Sequence, residues 1–403
     1  MNLLFLPKLF PRSDVIGGPI LIYHRIKNLA SMGHRISVIA PACDEKDRED
    51  RSLVGYCDDI VLVDCDKERS PQEIEELHER LKRPRFFLSG DGGYNEGVER
   101  AFVDALENKS LDAVIGEYSM TGQYIEANRG LFPDATKSII SVHECYTRAH
   151  QLRAEKGEHI APELIKELME YEFQMYRAAD IILSLTREDA ETMTRMAPEL
   201  RDKLRVVPHG VDTEFYTPSG DTRDRDSKNI LYLGNFLHQP NVDAVKNFMK
   251  HCWQKIKNEV PDAKFHAIGF HPPRELLDLR SDSVIIEEGG DDAAVLQRYR
   301  SSDVMVAPIE LGTGFRGKLL EAMACGLPVV STSLGTYGID PVNEKNMFVA
   351  DDYEVFSGYV INLLNDRDLR KRVSKEALKL AKRFDHKEAA MKLEKVLKEQ
   401  VVK

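Results

Sequence analysis

Residues 312–332 read GTGFRGKLLEAMACGLPVVST, and this stretch carries more information about the fold than any other. The pattern predicts a glycine-rich loop that opens a short helix, with Arg316 and Lys318 in its first turn, a stop at Gly326, and a β-branched strand after it. Cations at a helix N-terminus form a site for a phosphate group. Glu321 lies three residues after Lys318 on the same helical face, where a carboxylate suits sugar hydroxyls. The stretch therefore predicts a site for a nucleotide sugar.

A plainer interpretation of these residues is a solvated helix start, stabilised by an ion pair worth a few tenths of a kcal/mol. Three glycines in the stretch argue against this interpretation, because each would cost conformational entropy with no structural return. We therefore favour the ligand site. Its predicted contacts are Gly314, Phe315, Arg316, Lys318 and Glu321.

The bulk composition bounds the class of protein. At 403 residues the chain is too long for one hydrophobic core, so two domains of about 200 residues each are expected. The formal charge of −11 argues against nucleic-acid binding, for which a basic excess is usual. Lys and Arg do outnumber Asp and Glu between Asp366 and Lys403. A solvated helix face explains this better than contact with an anionic membrane surface.

The cysteines and the apolar runs indicate the compartment. The 6 cysteines form no C-x-x-C pair or other metal-ligand spacing, and we expect reduced thiols that mostly fill the core. No apolar run approaches the roughly 18 residues of a membrane span, and the apolar start from Met1 to Leu6 is too short for a signal peptide. The sequence therefore predicts a cytoplasmic protein, with at most a peripheral contact with the inner face of the cell membrane.

Two runs of alternating strands and helices predict two doubly wound, Rossmann-like α/β domains. The predicted parts are a first domain at 1–211, a linker at 212–227, a second domain at 228–385, and a C-terminal helix at 386–403 that packs back on the first domain. The predicted elements include strands at 113–115 and 138–142 and one helix at 242–256. Ligands of such folds bind at the carboxyl ends of the strands, so we expect the two domains to face each other across a cleft.

Further ligand contacts are predicted in the first domain. The fingerprints GxGxxG and GxxxxGK[ST] are absent, which disfavours a nicotinamide enzyme or a P-loop NTPase. Gly17 and Gly18 lie between the first strand and the first helix, where the backbone could approach an anion or simply turn. His143 follows the strand at 138–142, and this position favours a place in the ligand crevice over a surface histidine satisfied by Glu144. We expect it to hydrogen-bond a sugar and not to bind a metal.

The order of motifs across nearly the whole chain resembles glycosyltransferase family 4, whose members have the two-domain GT-B fold. The matching motifs are Gly17-Gly18, MGHRISV at 32–38, VPHGVDTEF at 207–215, LGNF at 233–236 with PNVDA at 240–244, and KLLEAMACGLPVV at 318–330. His143 also stands in the position of the family's active-site histidine.

The resemblance implies transfer of a hexose from a UDP- or GDP-sugar, with retention of anomeric configuration and without a metal or other cofactor. The acceptor would be a glycan, a lipid-linked sugar or a small molecule. By the same resemblance, Glu321 binds the donor ribose, Gly18 lies near the donor phosphates, and His143 touches the donor sugar. We expect contacts to the base from two loops, one around Gly269-Phe270 and one at Glu288 to Asp291. Acceptor contacts are expected near 91–94 and 146–150.

Two departures from the family's pattern stand out. Many members carry a glutamate eight positions before the one at Glu321, where this chain has Thr313, and the nearest upstream glutamate, Glu310, is out of register. Members also often place an Arg and a Lys after the first strand of the second domain, where residues 234–239 contain no permanent cation. Our hypothesis is that Arg316 and Lys318 supply the missing charge.

Two other functions stay open at this point. A nucleotide-sugar epimerase of GT-B type would keep the fold and change the reaction, although the motif at 318–330 argues against it. A donor-binding or scaffold protein without activity would explain Thr313 and the missing cations.

Overall fold

The structure is a computed structural model that describes residues 1–14, 17–65, 68–89, 92–155, 157–219, 227–311 and 315–401. The chain divides into two compact units. The first comprises Met1–His209 together with Ala389–Lys403, and the second comprises Gly210–Glu388. Part of the predicted linker, residues 220–226, lies outside the described residues.

The described residues of the first unit form a seven-stranded parallel sheet in the order β3-β2-β1-β4-β5-β6-β7. Its strands are β1 Asn2–Pro7, β2 Arg35–Ala42, β3 Asp59–Asp64, β4 Ala113–Glu117, β5 Lys137–Val142, β6 Ile181–Ser184 and β7 Leu204–Val206. The central strands are continuous apolar runs because helices cover both faces of the sheet. The strand order reverses between β1 and β4, and a sheet of this kind binds ligands at such a switch point.

The helices of the first unit connect these strands. They are α1 Gly18–Ser31, α2 Glu45–Glu49, α3 Pro71–Leu81, α4 Arg85–Leu88, α5 Glu96–Asn108, α6 Gly122–Ala127, α7 Tyr146–Glu155, α8 Pro162–Ala178 and α9 Arg187–Met196. Several begin at a side chain that accepts a backbone N–H, as Ser70 does in a capping box with Glu73. Helix α1 has no such side-chain cap and begins at Gly17, whose φ is 81°.

The second unit is also doubly wound. Its sheet is six-stranded over the described residues, in the order β10-β9-β8-β11-β12-β13. The strands are β8 Asn229–Asn235, β9 Lys264–Phe270, β10 Val284–Glu288, β11 Val304–Ala307, β12 Val329–Ser331 and β13 Phe348–Val349. The helices are α10 Gln239–Phe248, α11 Gln254–Glu259, α12 Arg274–Leu277, α13 Asp292–Ser301, α14 Gly317–Ala324, α15 Tyr353–Asn365, α16 Arg367–Lys382 and α17 His386–Val401.

Helix α17 begins in the second unit and belongs to the first from Ala389 onward. Its buried side chains Leu393, Val396 and Leu397 lie in the same apolar cluster as Leu3 and Phe5 of β1. Burial of these side chains is the main force that holds the helix on the first unit. Among the helices that the structure describes, none is long and apolar enough to cross a membrane.

The helix predicted at 242–256 is confirmed as part of an uninterrupted helical run at 239–259, in which Met249–Trp253 is π-helical. One prediction about local structure was wrong. The expectation of reduced thiols fails for Cys43 and Cys65, which form a disulfide with Cα atoms 4.8 Å apart. These cysteines follow β2 and β3, and adjacent parallel strands bring their carboxyl ends together.

Candidate functional site

Each unit carries a group of predicted site residues at the carboxyl edge of its own sheet. In the second unit this group lies at the start of α14, which follows β11. The helix ends as predicted, because Gly326 has a φ of 72° and its N–H bonds to the carbonyl of Met323. Gly312, Thr313 and Gly314 lie outside the described residues.

Arg316 occupies the position just before the first residue of α14. Its Nε is buried, and it has no hydrogen-bond partner among the described residues. Burial lowers the pKa of this guanidinium, and Tyr232 lies close enough to oppose part of that shift. An unpaired buried donor costs free energy, so a cation left in this state at a helix N-terminus indicates a site for an anion.

Glu321 lies one turn into α14 and is held by a neighbouring helix. The hydroxyl of Tyr299 on α13 donates to Glu321 Oε2 at 2.7 Å and lies 3.2 Å from the carbonyl oxygen of Lys318. Tyr299 is almost completely buried, so its hydroxyl holds the Glu321 carboxylate from the protein interior. Gly317 has open space where a Cβ would lie, so packing does not explain the glycine.

A pair of glycines lies at the carboxyl ends of β8 and β9. Gly269 at the end of β9 pairs with Gly234 of β8, and a Cβ on Gly269 would lie 1.8 Å from the Gly234 carbonyl oxygen. Backbone crowding thus requires glycine at position 269 whether or not a ligand binds. Beyond it, Phe270 keeps 51% of its surface exposed, and the N–H of His271 donates to Glu288 Oε1 at 3.0 Å. The two loops expected to contact the base therefore meet at one edge of the sheet.

The carboxylate of Glu310, the nearest glutamate upstream of Glu321, already has hydrogen-bond partners within the protein. Its carboxylate accepts hydrogen bonds from Asn247 Nδ2 at 2.9 Å and from the Tyr353 hydroxyl at 2.7 Å. These two partners belong to α10 and α15. The carboxylate of Glu310 is thus tied to those helices.

In the first unit, Gly18, Tyr118 and His143 come together at the carboxyl ends of β4 and β5. The rings of Tyr118 and His143 are stacked with centroids 4.0 Å apart. A Cβ on Gly18 would lie 1.6 Å from the Tyr118 hydroxyl oxygen, so the tyrosine needs glycine there. Tyr118 has a φ of 75°, a conformation that costs a bulky residue about 1–3 kcal/mol and is concentrated at functional sites.

His143 is held from behind by a buried carboxylate. Its Nε2 lies 2.7 Å from Glu117 Oε2, and the side chain of Glu117 is completely buried. On the other side, Arg25 Nη1 on α1 donates to both Glu117 oxygens at 2.9 Å and to Ser141 Oγ at 2.7 Å. Arg25 Nε and Nη2 are buried without partners among the described residues.

Two pKa shifts follow from this arrangement. Burial alone would raise the pKa of Glu117, but the charge of Arg25 and the hydrogen bond with His143 outweigh it and lower the pKa to about 2. Burial lowers the pKa of His143, and Glu117 opposes only part of that shift. At neutral pH the pair is therefore an ionised carboxylate and a neutral imidazole.

Sequence reasoning missed Arg25, Glu117 and Tyr118. A signal for Glu117 was present, because it ends an apolar strand just as His143 follows one. Arg25 gave no such signal, since its partner lies 92 positions away in the chain.

A cavity of about 600 Å³ lies in the first unit and is lined by Lys8, Arg69 and Tyr94, among other residues. Gly92 and Gly93, where we expected acceptor contacts, also line it, whereas Asp91 lies outside the described residues. Residues 146–150 belong to α7 and are not part of the described lining of this cavity.

Two family models match the chain. Glycosyltransferase Family 4 matches residues 16–215, and Glycosyl transferases group 1 matches residues 227–366. The chain is 26% identical over 322 residues to D-inositol 3-phosphate glycosyltransferase of Xylanimonas cellulosilytica, covering 74% of each chain. It is also 26% identical over 245 residues to a sulfoquinovosyl transferase of Arabidopsis thaliana, covering 54% of this chain and 44% of that protein.

Solved structures share the fold over the whole chain. The sucrose-phosphate synthase of Thermosynechococcus elongatus superposes with a TM-score of 0.75 and 17% identity, covering 99% of each chain. Anabaena HepE in complex with UDP-glucose superposes with a TM-score of 0.68 and 13% identity, covering 99% of this chain and 100% of that one.

Proposed function

Because the chain belongs to glycosyltransferase family 4 and has the GT-B fold, we propose that it is a retaining, metal-independent hexosyltransferase. In this reaction the bond between the anomeric carbon and the diphosphate of a nucleotide sugar breaks. A bond from the anomeric carbon to an acceptor oxygen forms, and the proton of the acceptor hydroxyl passes to the departing diphosphate or to solvent. Negative charge develops on the departing diphosphate, which is where fixed cations lower the barrier most.

The observation that carries this proposal is Arg316 at the start of α14, whose buried Nε has no hydrogen-bond partner among the residues that the structure describes. Together with Lys318 it would neutralise the donor diphosphate, which is also the reason for expecting no metal ion. Glu321, fixed by Tyr299, would accept hydrogen bonds from the donor ribose. Gly314 and Phe315 would complete the donor contacts, and Gly269 would line the base.

The first unit would contribute the contacts to the sugar and the acceptor. His143 would hydrogen-bond the transferred sugar, and Gly17 and Gly18 would approach the donor phosphates. The cavity lined by Lys8, Arg69 and Tyr94 would hold the acceptor, a glycan, a lipid-linked sugar or a small molecule. We place the protein in the cytoplasm, with at most a peripheral contact with the inner face of the cell membrane.

A uridine nucleotide is the first donor to test, since HepE, a structural neighbour, is described in complex with UDP and with UDP-glucose. Thermal unfolding would be followed with a panel of UDP- and GDP-sugars, with and without EDTA. A ligand at 100-fold over its Kd adds about 2.7 kcal/mol of stability. We expect one donor to raise Tm with EDTA present. No shift with any donor would contradict the proposal.

Incubating the stabilising donor with an acceptor extract then separates the candidate reactions. Transfer of the sugar supports the glycosyltransferase. Isomerised free donor would indicate the epimerase, and binding without turnover would indicate the scaffold. Loss of transfer on adding EDTA would contradict metal independence alone.

A further inference from the structure

We propose that Glu117 is a positioning residue that holds His143 as the Nε2–H tautomer, so that Nδ1 accepts a hydrogen bond from a substrate hydroxyl. This inference rests on the proposed role of His143 in binding the transferred sugar. It goes beyond that role by specifying which nitrogen acts, in which direction the hydrogen bond runs, and which residue decides it.

The direction follows from the chemistry of the carboxylate. An ionised carboxylate can only accept hydrogen bonds, and Glu117 Oε2 lies 2.7 Å from His143 Nε2. Nε2 must therefore carry the proton, and in a neutral ring Nδ1 is left with its lone pair. Within the described ranges, Nδ1 has no hydrogen-bond partner.

Arg25 keeps Glu117 ionised in a place where water does not reach. The side chains of Arg25 and Glu117 are 1% and 0% exposed, and Nη1 reaches both carboxylate oxygens. Without this cation a carboxyl group so deeply buried would take up a proton and could then donate to the imidazole. The fixed charge thus excludes the opposite tautomer.

The arrangement is a poor choice for stability alone. A buried ion pair is often no more stabilising than apolar side chains of similar volume. Here two further donors of Arg25 are buried without described partners, and each unsatisfied buried donor lowers the stability of the fold. Tyr118 also keeps its strained φ of 75° while it stacks on the imidazole. These two donors of Arg25 and the strained backbone of Tyr118 both belong to groups that hold the His143 ring in place. We infer that they are retained because they orient this ring.

The tautomer defines the group that His143 recognises. A lone pair on Nδ1 attracts a hydroxyl and repels a phosphate or carboxylate oxygen. His143 would therefore select a hydroxyl of the sugar and discriminate against a donor that lacks this hydroxyl. A donor without this hydroxyl would bind less well, because it would leave Nδ1 of His143 without a hydrogen-bond partner.

The wild-type protein itself supplies the first test. It would be labelled with ¹⁵N-histidine, and the His143 signals would be assigned by comparison with His143→Gln. At neutral pH we expect a protonated, pyrrole-type Nε2 and an unprotonated, pyridine-type Nδ1. A protonated Nδ1, alone or together with Nε2, would overturn the inference without any variant having to fold.

A pair of variants separates positioning from structure. Glu117→Gln places an amide against Nε2, and we expect the Nδ1 signal to become pyrrole-type. Transfer should fall about 10–100-fold, the cost known for partners that orient metal-bound histidines. The matched control is Glu99→Gln, which also removes a carboxylate from a buried arginine, Arg83, at 3.0 Å. It should lose stability but keep the His143 spectrum.

The outcomes distinguish this inference from the proposed function. If His143→Gln keeps wild-type kcat/KM, the role of His143 itself is wrong. If His143→Gln loses activity while the wild-type ring carries its proton on Nδ1, only the role of Glu117 is wrong. Unchanged kcat/KM in a folded Glu117→Gln protein whose His143 proton has moved to Nδ1 would also overturn the role of Glu117.

Discussion

Replacing Arg316 with methionine should lower activity and leave the fold as stable as before or more so. The substitution keeps an unbranched side chain of similar length and removes the buried Nε that has no described partner. Relief of one unsatisfied buried donor is worth about 1–3 kcal/mol. Loss of a donor aimed at developing negative charge costs about 2.7–4 kcal/mol, or 10²–10³-fold in kcat. The two effects should therefore have opposite signs.

The assay combines thermal unfolding with steady-state kinetics. We expect the Tm of Arg316→Met to stay unchanged or to rise, by about 2–4 °C per kcal/mol for a unit of this size. Adding the nucleotide sugar should raise the Tm of the wild type but not that of the variant. Arg274→Met is the matched control, because Arg274 is 87% exposed in the same unit and surface substitutions usually change stability by less than about 0.5 kcal/mol.

Two results would contradict this role of Arg316. A large fall in Tm together with the loss of activity would mean that Arg316 holds the fold and that its Nε is satisfied in solution. Full activity with an unchanged Tm would mean that the leaving diphosphate is neutralised elsewhere.

Substitutions at Gly18 and Gly269 and the pH dependence of Tm provide three further tests. In Gly18→Ala the Cβ would lie 1.6 Å from the Tyr118 hydroxyl oxygen, so the stacked rings of Tyr118 and His143 should move and kcat/KM should fall at least about 10-fold. The control is Gly130→Ala, which should retain activity because there is open space where its Cβ would lie. Gly269→Ala should lower the free energy of unfolding, since its Cβ would lie 1.8 Å from the Gly234 carbonyl oxygen, while Gly317→Ala should unfold like the wild type in a urea titration. Burial lowers the pKa of His143, so as the pH falls below the ordinary histidine value of about 6.5 the unfolded chain binds a proton that the folded chain does not. Wild-type Tm should therefore fall between about pH 7 and pH 5 by more than the Tm of His143→Gln, and equal losses in the two proteins would contradict this role of burial.

The sequence predicted the architecture because alternating apolar runs encode it directly. The family models and the shared fold of the solved structures confirm the resemblance to glycosyltransferase family 4 and the GT-B fold. The strand predicted at 113–115 extends to Glu117 in the structure, and this extension carries the carboxylate that sequence reasoning missed. The predicted strand stopped two residues short of Glu117, although the end of a strand is where α/β sheets place ligand groups.

Other features depend on partners that are distant in the chain. The buried guanidinium of Arg25 donates to Glu117 and to Ser141, which lie 92 and 116 positions later in the chain. The φ of 75° at Tyr118 runs against the residue's own preference, so local propensity cannot predict it. The π-helical segment at Met249–Trp253 inserts an irregular turn into a pattern that is otherwise continuously helical.

The anomeric configuration of the transferred sugar shows whether the enzyme is a retaining glycosyltransferase. The donor that stabilises the protein would be supplied with an acceptor extract, and the product's anomeric proton would be followed by ¹H NMR. We expect a new glycosidic linkage with the anomeric configuration of the donor, formed at a rate that Arg316→Met lowers about 10²–10³-fold. A linkage of inverted configuration, or release of free sugar with no linkage formed, would contradict this expectation.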